Sequence, residues 1–321
     1  MKKFVFIVLL FLFVLLFING CGHYNEINNV MIVDSIGIDK KDNKYLVSFN
    51  TYIGKNKYET YEVLVDDLET SFNEIYLLVN KKIYLSHLNI LYLSNSLTNS
   101  DISLIIDVFN NRDDLRGSFL VTFIKDYDKD IFKNRNITNI INNNFKESGY
   151  IYPVTFNDII TEYLDLSISY IPVIDNNDFS IIGSLSIFDE YRFYNLDESS
   201  YLNILFNQTD TLSFDINNSL VKLININTLY LVHDNNITFN ILSLYISNLN
   251  DKDFKYYLEK SLYDFLNSNI NSNYFVNLIK KYDYSYYLDH DIKDINYSIN
   301  ITLEKEEFSN VKEDDLIEKD S

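Results

Sequence analysis

An unbroken apolar run from Phe4 to Ile18 opens the chain behind Lys2-Lys3, and the apolar positions beyond it fall into alternating and helical periods. A helix over that run rises roughly 22 Å at 1.5 Å per residue, against about 30 Å of bilayer hydrocarbon. It therefore fits the apolar core of a signal peptide, with an uncleaved anchor as the competing reading. Val30 to Asp39 and Tyr45 to Tyr52 alternate on either side of Lys40-Lys41-Asp42-Asn43-Lys44, which predicts a hairpin. Tyr58 to Val65 alternates again. Asp66-Asp67 then leads into Leu68, Phe72, Ile75, Tyr76 and Val79, an amphipathic helix with acidic residues at its N-terminus. Leu88 to Leu93 reads as a strand, Ile102, Ile105, Ile106 and Phe109 as a second helix, and Ser118 to Ile124 as another strand. This order predicts a mixed sheet with helices on one face.

Pro153 and Pro172, the only prolines, punctuate a middle segment in which Phe156, Ile159, Ile160, Tyr163 and Leu164 carry a helical stripe. Asn142 to Asn144 reads as compositional drift on the surface. Ser180 to Phe188 predicts a strand and Ser200 to Phe206 a short helix. Thr211 to Leu249 predicts several strands broken at Asn217-Asn218 and Asp234-Asn235-Asn236. Lys252 to Tyr282 predicts a long helical stretch with a break near Asn267 to Asn273, and Ile295 to Leu303 a last strand. The expected organisation is a signal peptide over 1–20, an N-terminal region over 21–190 with a break near 125–150, a C-terminal domain over 191–305, and a solvated acidic tail over 306–321.

Cys21, the only cysteine, closes the opening apolar run behind the small residue Gly20. A slim residue before the cleaved bond and a thiol after it suit lipoprotein processing, in which diacylglycerol joins the sulfur. Ile18 stands where leucine is usual. With Cys21 lipidated no disulfide can form, but about 300 residues bury enough surface to fold without one. Hydrophobic residues make up 47% of the chain, which fits a packed protein and not a disordered tether.

Acidic side chains number 46 against 27 basic ones, a net charge of −19 that becomes −21 once Lys2 and Lys3 are removed. That charge excludes nucleic acid as a natural partner. It also repels an anionic bilayer, although that field decays within about 10 Å while an acyl chain acts at contact. The expectation is a lipid-anchored protein whose domains stand off the membrane.

Catalytic motifs are missing. None of the seven glycines forms a phosphate-cradling loop or a nucleophile elbow. His23, His87, His233 and His290 are scattered, without the paired spacing of a zinc site, so neither metal nor cofactor is expected. The loop at Asp42 lacks the alternating carboxylates and central glycine of a calcium loop, and reads as a turn. Two surface features stay open: His87, as a hydrogen-bonding or ligand-binding residue, and Arg112-Asp113-Asp114-Leu115-Arg116, as a partner contact or a locally satisfied turn.

Laid in order, these segments resemble the Ger(x)C family, the lipoprotein C subunits of spore germinant receptors. The resemblance rests on Glu26 to Val33 running into Ile36-Gly37-Ile38-Asp39-Lys40, on Tyr84-Leu85-Ser86-His87-Leu88-Asn89-Ile90, and on Arg112 to Arg116. It continues through Pro153-Val154-Thr155, Ile171 to Ile174, Gly183 to Phe188, Leu258 to Tyr282 and Asn296 to Leu303. It implies a three-domain α+β protein of mixed sheets with packed helices. It further implies a Cys21 lipid anchor at the outer face of the spore inner membrane, two multi-pass membrane subunits as partners, and no enzymatic step. Tyr84, His87, Arg112 and Arg116 become candidates for partner contact or fold stability. A solute-binding lipoprotein of a transporter is the alternative, and a surface hydrolase with convergent carboxylates a third reading.

Overall fold

The computed structural model describes residues 29–54, 57–133, 137–164, 169–187, 192–216, 219–247, 251–271, 273–290, 292 and 294–305. Cys21, His23, the opening apolar run and the acidic tail lie outside them.

β1 (Val30–Lys41) and β2 (Lys44–Gly54) form the expected antiparallel hairpin, with Lys41 opposite Lys44. Asp42 and Asn43 turn it with φ of 48° and 63°. Positive φ at both central positions matches the right-handed twist of the strands, and Asp and Asn tolerate it better than most residues. β3 (Lys57–Val65) adds an antiparallel edge. A 3₁₀ turn over Leu68–Thr70 and α1 (Ser71–Val79) follow, and Asn80, at φ 51°, ends that helix.

β4 (Lys82–Tyr84), β5 (Ile90–Ser94), α2 (Asn99–Asn110), β6 (Leu120–Lys125), a 3₁₀ turn over Lys129–Lys133, α3 (Ile137–Ser148) and α4 (Phe156–Leu164) come next. β7 (Ser169–Asp175), β8 (Ile181–Ile187) and β9 (Arg192–Asn195) complete the first sheet. Its order is β3-β2-β1-β5-β6-β7-β8-β9, with β4 paired to β1. The centre is parallel, β1 to β5 to β6 to β7, and both wings are antiparallel.

Helices cover both faces of this sheet and not one. Ile90, Leu91, Tyr92 and Leu93 are all buried at successive positions of β5, and a parallel strand with two apolar faces needs cover on each. Leu91 and Leu93 join the core under α1, α2 and α4, whereas Ile90 and Tyr92 join Ile131, Phe132, Ile137 and Ile141 on the opposite side. The helix responsible, α3, contains Asn142 to Asn144; Asn143 is exposed, and Asn142 and Asn144 are half-buried.

The second sheet has the order β10-β11-β12-β13, from β10 (Thr211–Ile216), β11 (Ser219–His233), β12 (Asn236–Ile246) and β13 (Asn296–Lys305). β12 and β13 are parallel, so the chain must cross back over the sheet between them. It does so through α6 (Asp251–Asn269), α7 (Asn273–Tyr282) and α8 (Tyr284–Asp289), after α5 (Leu196–Leu205). Phe254, Leu258, Leu262, Phe265 and Leu266 of α6 are buried against this sheet. α5 packs against β8 and β9 of the first sheet and β11 and β12 of the second. The whole is a mixed α+β fold with two sheets and eight α-helices among the described residues.

Candidate functional site

The two stretches singled out by sequence, Tyr84 to His87 and Arg112 to Arg116, meet in space. The Ser86 hydroxyl donates to the Asp114 carbonyl at 2.8 Å, so the turn after β4 is tied to the turn after α2. Both turns follow from how their elements end. The Arg112 amide still bonds back to the Phe109 carbonyl at 3.2 Å, and Leu115 closes a further turn on Arg112.

Arg112 is committed inward. Its Nε and Nη2 each donate to one Asp114 carboxylate oxygen at 3.0 Å, and its guanidinium stacks 4.1 Å from the Phe72 ring centroid on α1. A planar fork that meets a carboxylate with two bonds while lying on an aromatic face is specific to arginine. Arg116 is exposed. Tyr84 stands out from β4 at 37% exposure, and its ring lies 5.7 Å from that of exposed His87. Between α1 and these turns is an open depression of about 440 Å³, lined among others by Phe72, Tyr76, Lys82, Ile83, Arg112 and Asp114.

A second feature escaped the sequence reading. Asp34, Ser35, Asn50, Asn89 and Tyr92 line a small cavity of about 100 Å³ where β1, β2 and β5 meet. Asn89 donates to the Asp34 carboxylate at 2.7 Å, and Asn50 donates to the Ser35 hydroxyl at 3.1 Å. Burial, then the Asp34 charge, pushes the Tyr92 hydroxyl well above the usual phenol range. The available signal was Asp34-Ser35 interrupting the apolar alternation of β1. Read alone, that pair looks like an ordinary solvent-facing step.

His233 is exposed and lies 3.0 Å from Asp234, and the His290 ring stacks on Tyr286 at 4.1 Å, so the three described histidines, with His87, meet at no common place. Among the described residues no group of three or more His, Cys, Asp or Glu is arranged to hold a metal ion, and no helix is long and apolar enough to cross a membrane.

Residues 23–176 match the family model described as the spore germination protein N-terminal domain. Among curated proteins, none matches the chain. The fold is similar to the crystal structure of the GerBC protein, with a TM-score of 0.50 at 13% identity, over 84% of this chain and 96% of that one. The matched family domain spans β1 to β7 and contains both the Tyr84 to His87 turn and the Arg112 to Arg116 block, so residues 23–176 carry the N-terminal domain of spore germination proteins, in accord with the Ger(x)C resemblance of the sequence.

Proposed function

We propose that this chain is the C subunit of a spore germinant receptor. On this reading diacylglycerol on Cys21 holds it at the outer face of the spore inner membrane, beside two multi-pass subunits. The observation that carries the reading is the family match itself, which begins at His23, two residues past the lipidation cysteine. Confinement to the membrane plane raises the effective concentration of a weak contact between subunits. The role is assembly and signal transmission, without a catalytic step. The differing pairing of the two sheets also argues against the two similar lobes of a solute-binding lipoprotein.

The proposed division of labour follows the geometry. Arg112 holds the surface in shape through Asp114 and Phe72, while Tyr84, His87 and Arg116 are exposed and reach a partner. The test is affinity purification of a C-terminally tagged chain from dormant-spore membranes beside a Cys21→Ala control, with partners identified by mass spectrometry. Two multi-pass proteins, lost or reduced in the control, are expected. Recovery of transporter components from growing cells, with nothing from spores, would replace this reading with the solute-binding one.

A further inference from the structure

One end of the first sheet carries apolar side chains that no other described residue covers. On the last turn of α1, Tyr76, Leu77 and Leu78 are 48%, 71% and 60% exposed, and at the end of β2 Tyr52 and Ile53 are 40% and 52% exposed. Leu78 and Ile53 lie on the walls of one groove of about 480 Å³, which Val30 and Ile32 of β1 also line. Large aliphatic side chains left in water at this density mark a surface that is covered in use.

The charge around the groove departs from that of the chain. Lys81 lines it, Lys82 pairs with Val30 in the β1–β4 ladder, and Lys57 pairs with Gly54 beside Ile53. All three are exposed, and none forms an ion pair among the described residues. Of the carboxylates on neighbouring elements, Glu59 accepts the Tyr61 hydroxyl at 2.7 Å, Glu74 stands a turn earlier on α1, and Asp113 and Asp114 line the adjoining depression with Lys82 without pairing to it. A protein with 46 acidic and 27 basic side chains thus presents apolar tips and unpaired lysines together at this end.

Chain length says what lies nearby. Val30 begins the first strand, and fully extended backbone from Cys21 to Val30 reaches at most about 30 Å. The groove is therefore tethered within a short reach of the bilayer if Cys21 carries the lipid, which is the reading proposed above and on which this step rests.

We propose that this end of the sheet rests on the membrane, with Ile53, Leu77 and Leu78 entering the headgroup boundary and Lys57, Lys81 and Lys82 contacting anionic phospholipid. Apolar tips ringed by lysines are the chemistry that an anionic interface recognises. The acidic remainder of the molecule is repelled, so the same contact orients it. The stand-off that net charge predicts then holds for the rest of the protein and not for this end.

The chain contains no tryptophan, which makes the test direct. Leu78→Trp is compared with Leu231→Trp, a 64% exposed position on the second sheet, in the full lipidated chain reconstituted into phosphatidylglycerol-containing vesicles. Flotation reports anchoring, and quenching by lipids labelled near the headgroup reports depth. The expected result is emission at position 78 quenched roughly twofold or more, as for an interfacial side chain, with position 231 unquenched. Lys57→Glu, Lys81→Glu and Lys82→Glu, combined with Leu78→Trp, should abolish the quenching while the protein still floats and keeps its circular dichroism. Equal, absent quenching at both positions in floating protein overturns the inference and leaves the anchor intact. Quenching at 78 that appears only with multi-pass proteins in the vesicle overturns it in favour of a protein partner. A chain that does not float overturns the anchor and this inference together.

Discussion

Asp101 shows how one carboxylate can hold two elements together. It is 3% exposed at the start of α2, and it accepts from Lys40 Nζ and the Tyr45 hydroxyl, both at 2.6 Å, and from the Thr98 amide at 2.8 Å. The Thr98 contacts form a capping box, and the others tie the helix to the β1–β2 hairpin. Burial pushes the Asp101 carboxyl up, but the bonds from Lys40, Tyr45 and Thr98 outweigh it and hold the group at about 2. Burial and the same carboxylate push the Tyr45 hydroxyl up to about 12. An unfolded aspartate titrates near 3.9, so on acidification the unfolded state takes up its proton first and the native state loses ground. The stabilisation is complete above about pH 4 and disappears as pH falls toward 2, and for a shift of this size it amounts to about 2 to 3 kcal/mol. Asp101→Asn should lower the urea midpoint at pH 7 and differ little from the parent at pH 2. An equal deficit at both pH values would assign the loss to packing instead of charge. Gly183 is the residue-scale counterpart in the backbone. Its φ is +152°, and a Cβ there would land on the Tyr194 carbonyl oxygen of β9. Gly183→Ala should cost more than about 2 kcal/mol, because both the conformation and the space exclude a side chain. A melting temperature within a degree of the parent would refute that account.

Among elements, those with one strong period were readable and those depending on tertiary cover were not. The β1–β2 hairpin and the α6–α7 pair, with its break after Asn269, follow from apolar spacing and turn chemistry alone. α3 was missed because its buried face rests on few positions, chiefly Ile137 and Ile141, set among asparagines. β7 was missed because Pro172 argues against an interior strand. The β6 ladder begins at Val173, one residue past it, so the missing N–H falls outside that pairing. The candidate surface was legible as two separate segments, but the Ser86–Asp114 bond that joins them spans residues that no local pattern relates. That bond sets an expectation for variants. Arg112→Lys should lower thermal stability by about 1 to 2 kcal/mol, since an ammonium can neither fork onto Asp114 nor stack on Phe72 as a plane. Arg116→Glu, at an exposed position, should leave melting unchanged and, if the proposed partner contact holds, reduce recovery of the proposed membrane subunits. Unchanged recovery would remove Arg116 from the contact. In α6, Leu262→Ala should cost about 2 to 5 kcal/mol by opening a cavity in the second core, whereas Tyr256→Ala, 67% exposed, should stay within about 0.5 kcal/mol by chemical denaturation.

At the scale of the whole molecule, the question is whether two sheets make two independent folding units. Side chains of the first sheet take part in the second core: Tyr170 of β7 and Tyr194 of β9 are buried there, edge to face at 5.5 Å, and Tyr194 also meets Phe265 of α6 at 6.4 Å. α5 carries the same coupling in hydrogen bonds. Asn203, 4% exposed, donates from one amide nitrogen to the carbonyls of Gly149 at 2.9 Å and Tyr150 at 3.0 Å, which end the segment containing α3. Tyr150 packs against both the core beneath α3 and the core of the second sheet. Opening either sheet would therefore expose aromatic surface of the other and leave buried carbonyls without a donor, and such groups cost about 1 to 3 kcal/mol each. The two sheets should unfold in one cooperative transition, with hydrogen-exchange protection in β5 and β12 lost at the same urea concentration. Asn203→Leu should fill the space without supplying the donors, and Tyr194→Ala should remove the shared ring. Either change should separate the transitions, the second sheet unfolding first because β12 alternates buried and more exposed positions, so that its core lies on one face of the sheet only. A parent chain that already unfolds in two steps would show that the shared contacts are too weak to couple the sheets. A signal received at the proposed partner surface would then have to travel within the first sheet, whereas tight coupling lets a contact there be felt at the second.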